Sequence, residues 1–408
     1  MIITLGNWDK VADQLSLAHV LSLDSETTGL ALFDRLFSVI ISDDKDDFYF
    51  DKRIIGPSFI PRFKYLIASL KCTWVLKNAK FDMHMLEKEG IYLPNAEDIT
   101  IAARLLRNDF YGEKAYSLAE LAKREGMAKS DLAMKHIKEN KLYEVRKPKF
   151  GKEYKQPQFD KIPQILISEY ACKDARLTYD LRRIYLERMD ASDKKVYAME
   201  TELLPVCLAM ERQGIRLDIA AAEAGHKWEK ECLATKKRHF TQATGIEYSD
   251  SKTVLLPIFK EAGELEHFTK AGNPSLTDEI LDTFTSPIAK IVQSVRHHEK
   301  RISTYYENYL NMVDDNSRIH PTMWQEGTRT GRFSYSNPNL QNIPKEEGAT
   351  YEHVVRACFI PSPGNYFISL DFKQMEYRLM LAYANAKRLI KQVCSRLVYV
   401  RPIHNLLN

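Results

Sequence analysis

Hydrophobic and polar residues alternate with changing periods along the chain, and the clearest strand patterns lie in its first part. Short runs rich in β-branched and aromatic residues occur at 20–23, 37–42, 47–50 and 73–78. Helical spacing follows at 81–90 and 163–188, and Gly90 is typical of a helix end. Strands followed by helices predict an α/β or α+β domain of about 190 residues.

The rest of the chain has longer helical patterns. Residues 193–312 are predicted to be mostly helical, and Gly214 is expected to end the first long helix. The Lys-rich stretch at 147–159 is predicted to be a loop. A length of 408 residues favours two or three domains.

Composition and charge restrict the class of protein only a little. The chain is 44% hydrophobic and 28% charged, as is typical of a globular protein, and its net charge of +4 permits a polyanionic partner. The six cysteines are dispersed without a C-x-x-C pair, which argues against a zinc site or a disulfide framework. No signal peptide and no membrane-spanning stretch are predicted, so we expect a cytoplasmic location and no membrane partner.

Three acidic patterns stand on predicted strands and helices. Asp24 and Glu26 are two residues apart at the end of a strand, so both carboxylates share one face of the sheet. Asp82 opens a helix, while Tyr170 and Asp174 are spaced i, i+4 on a later one. Each pattern alone is more often structural: surface acids at a strand end, a helix-capping acid, and a packed ring beside a solvated acid.

Taken together, the three patterns are more specific. D-x-E on a strand, N-x-K-F-D at a strand-to-helix junction and Y-x-x-x-D on a later helix resemble, in that order, the motifs of the proofreading 3′–5′ exonuclease domain of family A DNA polymerases. The resemblance covers about residues 1–190. It implies an RNase H-like α/β fold that removes nucleotides from single-stranded 3′ ends of DNA.

The resemblance also implies two Mg²⁺ or Mn²⁺ ions, since hard cations prefer oxygen ligands and a pair of them can drive phosphodiester hydrolysis. Asp24, Glu26 and Asp174 are assigned to the ion that activates water. Asp24 and Asp82 are assigned to the ion at the leaving group. Tyr170 is expected to orient the water, because its ordinary pKa near 10 makes it a poor free base at neutral pH.

A second region of resemblance begins near residue 203 and becomes specific at TGRFSYSNPNLQNIP, residues 330–344, and at FISLDFKQMEYR, residues 367–378. Both resemble palm motifs of family A DNA polymerases. The resemblance implies binding of a template–primer duplex, one palm metal ligand, Asp371, and two positions beside an incoming nucleotide, Gln374 and Glu376. The predicted DNA-binding residues of this region are Arg332, Asn339, Gln341, Asn342 and Arg356, while Asn78 and Lys80 are predicted to line the path of single-stranded DNA in the exonuclease domain.

The implied architecture is an α/β exonuclease domain at 1–190, a helical thumb-like region at 191–325, the start of an incomplete α+β palm at 326–385 and an atypical basic tail at 386–408. The family's triphosphate-binding helix and second catalytic aspartate do not appear after Asp371. We therefore expect no polymerisation from this chain alone, and we expect that the segment from about Ser395 to Asn408 does not pack with the palm.

Three functional hypotheses remain at this point. The first is a 3′–5′ exonuclease of the bacterial or phage-infected cell. The second is one half of a split polymerase that needs a separately encoded C-terminal fragment. The third is a non-catalytic DNA-binding remnant.

Overall fold

The structure is a computed structural model that describes residues 1–31, 33–107, 113–265, 267–268, 272–325, 327–344, 354–372, 374–393 and 398–403. The chain divides into two compact units. The first comprises Met1–Gln213 and Pro321–Gln341, and the second comprises Gly214–His320 and Asn342–Asn408. Within the described ranges, every helix is too short or too polar to cross a membrane.

The elements are numbered along the chain. The strands are β1 (Val20–Thr27), β2 (Leu36–Ser42), β3 (Asp47–Asp51), β4 (Thr73–Leu76), β5 (Ala96–Asp98), β6 (Tyr143–Arg146), β7 (Tyr154–Pro157), β8 (Ile215–Leu217), β9 (Arg318–Ile319), β10 (Thr322–Trp324), β11 (Ser334–Ser336), β12 (Phe359–Ile360), β13 (Phe367–Phe372) and β14 (Val398–Ile403). The α-helices are α1 (Trp8–Ser16), α2 (Lys52–Ile55), α3 (Phe59–Ser69), α4 (Ala79–Lys88), α5 (Ile99–Leu106), α6 (Leu118–Arg124), α7 (Leu132–Asn140), α8 (Gln164–Arg188), α9 (Ala191–Gln213), α10 (Ile219–Thr244), α11 (Lys252–Glu261), α12 (Asp278–Leu281), α13 (Pro287–Lys300), α14 (Asn308–Met312), α15 (Met375–Tyr383) and α16 (Lys387–Val393). A π-helical segment, Arg301–Glu307, joins α13 to α14.

The first unit is built on a mixed five-stranded sheet in the order β3-β2-β1-β4-β5. β1 lies in the centre, antiparallel to β2 and parallel to β4. The four predicted strands and the two predicted helices are therefore confirmed, with two main differences in bounds: β4 ends at Leu76 rather than at residue 78, and β1 is longer than predicted. This strand continues past Asp24 to Thr27, because its backbone goes on pairing with β2 as far as Leu36.

Helices cover both faces of this sheet, in agreement with the burial of consecutive residues along its strands, whose side chains alternate between the two faces. Val39 and Ile41 of β2 lie in a core with Leu21, while the intervening Ile40 lies in a second core with Ile167 of α8. α8 crosses the second face, where the Ser22 hydroxyl donates to the Ala175 carbonyl at 2.7 Å. The even-numbered positions of β1 thus face α8.

Two parts of the first unit differ from the sequence-based expectations. The stretch at 147–159, predicted to be a loop, contains β7, which pairs with β6 in an antiparallel hairpin. α9 belongs to this unit because Leu204 and Leu208 are buried in its core. The helix ends at Gln213, and Gly214 follows with φ 56°, as the predicted helix end requires.

The second unit is mainly helical. α10 and α13 pack together, and Gly225 on α10 allows the Tyr306 ring to approach so closely that a Cβ there would lie 2.6 Å from the ring. A three-stranded antiparallel sheet in the order β12-β8-β9 stands beside these helices. Phe240, Phe259 and Phe284 belong to a further core around α11 and α12.

The last described strands correct one prediction. β14, at 398–403, pairs antiparallel with β13 over six residues, so the tail was wrongly expected to stay apart from the palm segment. The backbone explains the pairing, because a strand with two open edges gains ladder hydrogen bonds from any extended neighbour. Residues 395–397 and 404–408, which the same prediction included, lie outside the described residues.

Candidate active site

Asp24 and Glu26 lie on the central strand, near its carboxyl end. Their backbones pair with Ile40 and Ser38 of β2, and the pairing shifts register just after Glu26. Alternation along the strand directs both side chains to the sheet face that α8 covers. Glu26 is buried, and Asp24 is partly exposed.

Asp82 reaches the same strand from the first turn of α4. Its Oδ1 accepts hydrogen bonds from the Ser25 amide at 3.0 Å and from the Ser25 hydroxyl at 2.5 Å. The carboxylate is buried, and its position at a helix N-terminus is favourable for a negative charge. Ser25 is a site residue that sequence reasoning missed, although it stands between the two acids of the D-x-E motif.

Asp98 fixes the start of α4, and sequence reasoning missed it as well. Its carboxylate accepts hydrogen bonds from the amides of Asn78 at 3.0 Å, Ala79 at 2.9 Å and Thr100 at 2.7 Å. Asn78 is in the left-handed conformation with φ 60°, which Asn tolerates better than most residues. Asp98 at the end of β5 therefore positions the helix that carries Asp82. An acid just before the helical run ITIAARLL was the available signal.

We expect Asp98→Ala to lower the free energy of unfolding by about 2 kcal/mol, because three amide donors lose their acceptor. Urea unfolding measures this loss. The matched control is Asp131→Ala. Asp131 directly precedes α7, as Asp98 directly precedes α5, but its side chain accepts no capping hydrogen bond. Equal losses in the two variants would contradict the positioning role.

Tyr170 and Asp174 complete the cluster from α8. Both side chains are buried, one helical turn apart, on the helix face that packs against the sheet. Burial raises the pKa of Tyr170, and the charges of Asp174, Glu26 and Asp24 raise it further. The phenol therefore stays protonated at neutral pH and can donate a hydrogen bond. The structure thus brings all five predicted catalytic residues together.

The four carboxyl groups are electrostatically strained. Burial raises the pKa of Asp24 to about 7, and the charge of Asp174 adds to the shift. Burial also raises the pKa of Glu26 and of Asp82, with Asp24 as the next cause for both. The pKa of Asp174 is raised by burial as well, although Lys129 opposes the shift. Buried like charges of this kind are relieved by a bound cation.

The residues suit divalent metal ions in chemistry and in charge. All four acids offer carboxylate oxygens, which Mg²⁺ and Mn²⁺ prefer. Asp174 Oδ1 is buried without a hydrogen-bond partner, as expected for an oxygen atom that is available to bind a metal ion. Among the described residues, no three acidic, His or Cys side chains converge on one ion position. Asp82 is turned toward Ser25, so binding of a shared ion requires these side chains to reorient.

The structure places Lys80 differently from the expectation that it lines a DNA path. Its side chain is buried, with Nζ 2.5 Å from Glu211 Oε1 and in contact with the Met323 carbonyl. Glu211 Oε2 also lies 2.8 Å from His84 Nε2. Buried Lys needs a counter-charge, and Glu211 supplies it. Asn78 lies beside this site and is partly exposed.

A small cavity adjoins Lys80. Asn78, Arg104 and Trp324 are among the residues that line it. Both Lys80 and Arg104 lie over the Trp324 ring, at 5.7 and 5.8 Å from its centroid. Sequence reasoning missed Arg104 and Trp324, since a single buried Arg on an apolar helix carries no pattern of its own.

The predicted palm residues are all exposed; they are Arg332, Asn339, Gln341, Asn342, Arg356, Asp371, Gln374 and Glu376. Several of them also organise their own segments. Gln341 donates to the Phe333 carbonyl at 3.0 Å, and Arg356 donates to the Ile343 carbonyl at 3.3 Å. Asp371 lies on β13, and Glu376 lies in the first turn of α15. Their roles in binding DNA or nucleotides stay predictions.

Comparison with known proteins gives two family matches. Residues 3–190 match the model of the 3′–5′ exonuclease family, and residues 220–397 match that of DNA polymerase family A. Among relatives, DNA polymerase DpoZ of Salmonella phage PMBT28 is 29% identical over 406 residues, covering 90% of this chain and 62% of the relative. DNA polymerase I of Chloroflexus aurantiacus is 33% identical over 331 residues, covering 77% of this chain and 33% of the relative.

The chain therefore spans less than two thirds of the length of these relatives. Among solved structures, the POL domain of Pol1 from M. smegmatis, in complex with DNA primer-template and dNTP, is similar in fold, with a TM-score of 0.70 at 22% identity. The similarity covers 93% of this chain and 62% of that one. On these matches, residues 3–190 belong to the 3′–5′ exonuclease family and residues 220–397 belong to DNA polymerase family A.

Proposed function

We propose that this chain removes nucleotides from the 3′ ends of DNA in a reaction that depends on divalent metal ions, and so proofreads during DNA replication. The observation that carries the proposal is the cluster of Asp24, Glu26, Asp82 and Asp174, in which Asp24 is partly exposed, the other three are buried, and burial raises the pKa of all four. Placing four carboxylates together in a largely buried site costs stability, and such a cost is typical of a functional site.

Each residue has a defined role in this proposal. Asp24, Glu26 and Asp174 would hold one ion, and Asp24 and Asp82 would hold the other. When bound, such a pair supplies an activated water and stabilises the departing 3′-oxygen. Tyr170, protonated at neutral pH, orients the water through its hydroxyl. Ser25 positions the Asp82 carboxylate by hydrogen bonding, and Asp98 positions the helix that carries Asp82.

The test uses 5′-labelled single-stranded DNA with purified chain and Mg²⁺, with and without dNTPs. We expect a ladder of products shortened from the 3′ end, which EDTA abolishes. Absence of metal-dependent shortening would contradict the proposal. Metal-independent DNA binding without any product would instead favour a non-catalytic DNA-binding remnant.

We expect Tyr170→Phe to lower the turnover number by roughly 10- to 1,000-fold while DNA affinity is kept. The substitution leaves the ring in its contact with Phe159, at 6.3 Å between centroids, and removes only the hydroxyl. Turnover and DNA binding are measured separately on the same oligonucleotide. Loss of DNA affinity instead would show that Tyr170 is structural.

A second candidate function is template-directed synthesis, completed by further palm structure from another chain or segment. The observation that favours it is the exposure of the strand that carries Asp371. Ile368, Leu370 and Phe372 are 69%, 68% and 62% exposed. Apolar strand residues this exposed are typical of a surface that another protein segment covers. Primer extension that appears only when such a segment is added would support this candidate.

A further inference from the structure

Lys129 is a basic residue at the carboxylate cluster that no motif pointed to. It lies in the loop between α6 and α7, and its side chain is 27% exposed. Its Nζ lies 2.5 Å from Asp174 Oδ2 and 5.2 Å from the centroid of the Tyr170 ring. One ammonium group therefore contacts both α8 residues that are assigned to the attacking water.

The charge of Lys129 acts on most of the cluster. It opposes the rise in pKa of Asp174, of Asp24 and of Glu26, while Lys77 is a further cation acting on Asp24. Asp174 Oδ2 is thus neutralised by Lys129, whereas Oδ1 of the same carboxylate has no hydrogen-bond partner. The ammonium group lies beside Oδ2, at the position that a divalent ion would need in order to bind this oxygen.

The same side chain can leave that place. Lys carries a compact charge on a flexible four-carbon stem. The ammonium group of a partly exposed Lys can therefore change position while it stays hydrated. Once Asp174 binds a metal ion, the ammonium needs another anion. The anion that arrives at this point is the phosphate of the substrate's terminal nucleotide.

We propose that Lys129 is a mobile positioning cation: it holds Asp174 in the metal-free site, competes there with the divalent ion, and then contacts the scissile phosphate. This inference rests on the proposed exonuclease function. It predicts that removal of the Lys129 charge strengthens the binding of the divalent ion and slows turnover. A purely structural surface Lys would move neither measurement.

The test compares full-length wild type, Lys129→Met, Lys129→Arg and the matched control Lys135→Met, an exposed Lys of the adjacent helix α7. Mn²⁺ affinity is measured by calorimetry without DNA, and turnover is measured on single-stranded DNA at saturating Mn²⁺. We expect Lys129→Met to bind Mn²⁺ about 10-fold more tightly and to turn over roughly 10- to 100-fold more slowly. Lys129→Arg should keep the affinity close to that of wild type.

Two results would overturn the inference. Lys129→Met could behave like Lys135→Met in both measurements, or it could bind Mn²⁺ more weakly than wild type. Failure of the proposed function is recognised separately, because wild type itself would then leave the DNA intact. In that case, tighter Mn²⁺ binding by Lys129→Met would still support the competition at Asp174. Thermal unfolding in EDTA verifies that each variant is folded.

Discussion

The double variant Asp24→Asn/Glu26→Gln should lose at least about 1,000-fold in nuclease activity and yet unfold at a higher temperature than wild type in EDTA. Activity falls because the amides cannot replace the carboxylates that two cations require. Stability rises because the amides keep the shape of the side chains and remove two neighbouring acidic groups, one of them buried and the other partly buried. Function and stability therefore change in opposite directions at this site.

The stabilisation should depend on pH, with a sign set by the pKa of Asp24. Burial raises that pKa from 3.8 to about 7 in the folded chain, so the folded state binds more protons than the unfolded state between about pH 4 and 7. The contribution to stability is fully present below the unfolded value and is lost as the pH rises through 7. For Asp24, the complete loss corresponds to roughly 4 kcal/mol.

Thermal or urea unfolding at pH 5, 6, 7 and 8 in EDTA measures the difference between the variant and wild type. We expect the difference to grow as the pH rises from 5 through about 7, where Asp24 loses its proton. Asp13→Asn serves as control, since Asp13 is an exposed acid of α1. A double variant less stable than wild type at pH 8 would show that these carboxylates hold the fold together.

The second large effect is expected at Glu211. Glu211→Ala should lower the free energy of unfolding by about 3–5 kcal/mol, because it leaves the buried ammonium of Lys80 without its counter-charge. It also leaves the Met323 amide without the acceptor that it contacts at 2.6 Å. The double variant Lys80→Met/Glu211→Leu should recover much of this loss, since an apolar pair needs no neutralisation.

Urea unfolding of the single and double variants measures the coupling between the two residues. Glu202→Ala is the matched control, because Glu202 is exposed on the same helix, α9. A loss in Glu211→Ala no larger than in this control would contradict the role of the ion pair.

The Glu211 carboxylate also makes the free energy of unfolding depend on pH in the acid range. Burial alone would raise its pKa, but the hydrogen bonds from His84 and Lys80 outweigh burial and lower it. A lowered pKa contributes stability that is present above the unfolded value, near 4.5, and is lost as the pH falls through the folded value. We expect this contribution to disappear in Glu211→Gln, which can be followed by acid unfolding below pH 5.

The positions of the central strands and of the acids predicted to be catalytic could be expected from the sequence. Alternation along β1 places Asp24 and Glu26 on one face whatever the rest of the fold does, and i, i+4 spacing does the same for Tyr170 and Asp174. These are local periodicities of the backbone. The placement of these four residues on shared faces therefore followed from local spacing.

The residues that support this cluster depended on contacts distant in sequence. Ser25 meets Asp82 across 57 residues, and Lys80 meets Glu211 across 131. Lys129 reaches Asp174 from a loop whose sequence has no periodic pattern. Spacing predicts neighbours only within one helix or strand, so these partners were not visible along the chain.

What the sequence by itself determined is which acidic and aromatic side chains share one face of a strand or helix, because strand and helix periods align them locally. What only the tertiary structure decided is the electrostatic state of those side chains. Burial beneath α8 and the proximity of the other acids raise the pKa of Asp24 to about 7, and Lys129 partly offsets the charge. The strength of a charge interaction depends on the distance between the charges and on how much solvent folding excludes. Neither quantity follows from the spacing of residues along the chain.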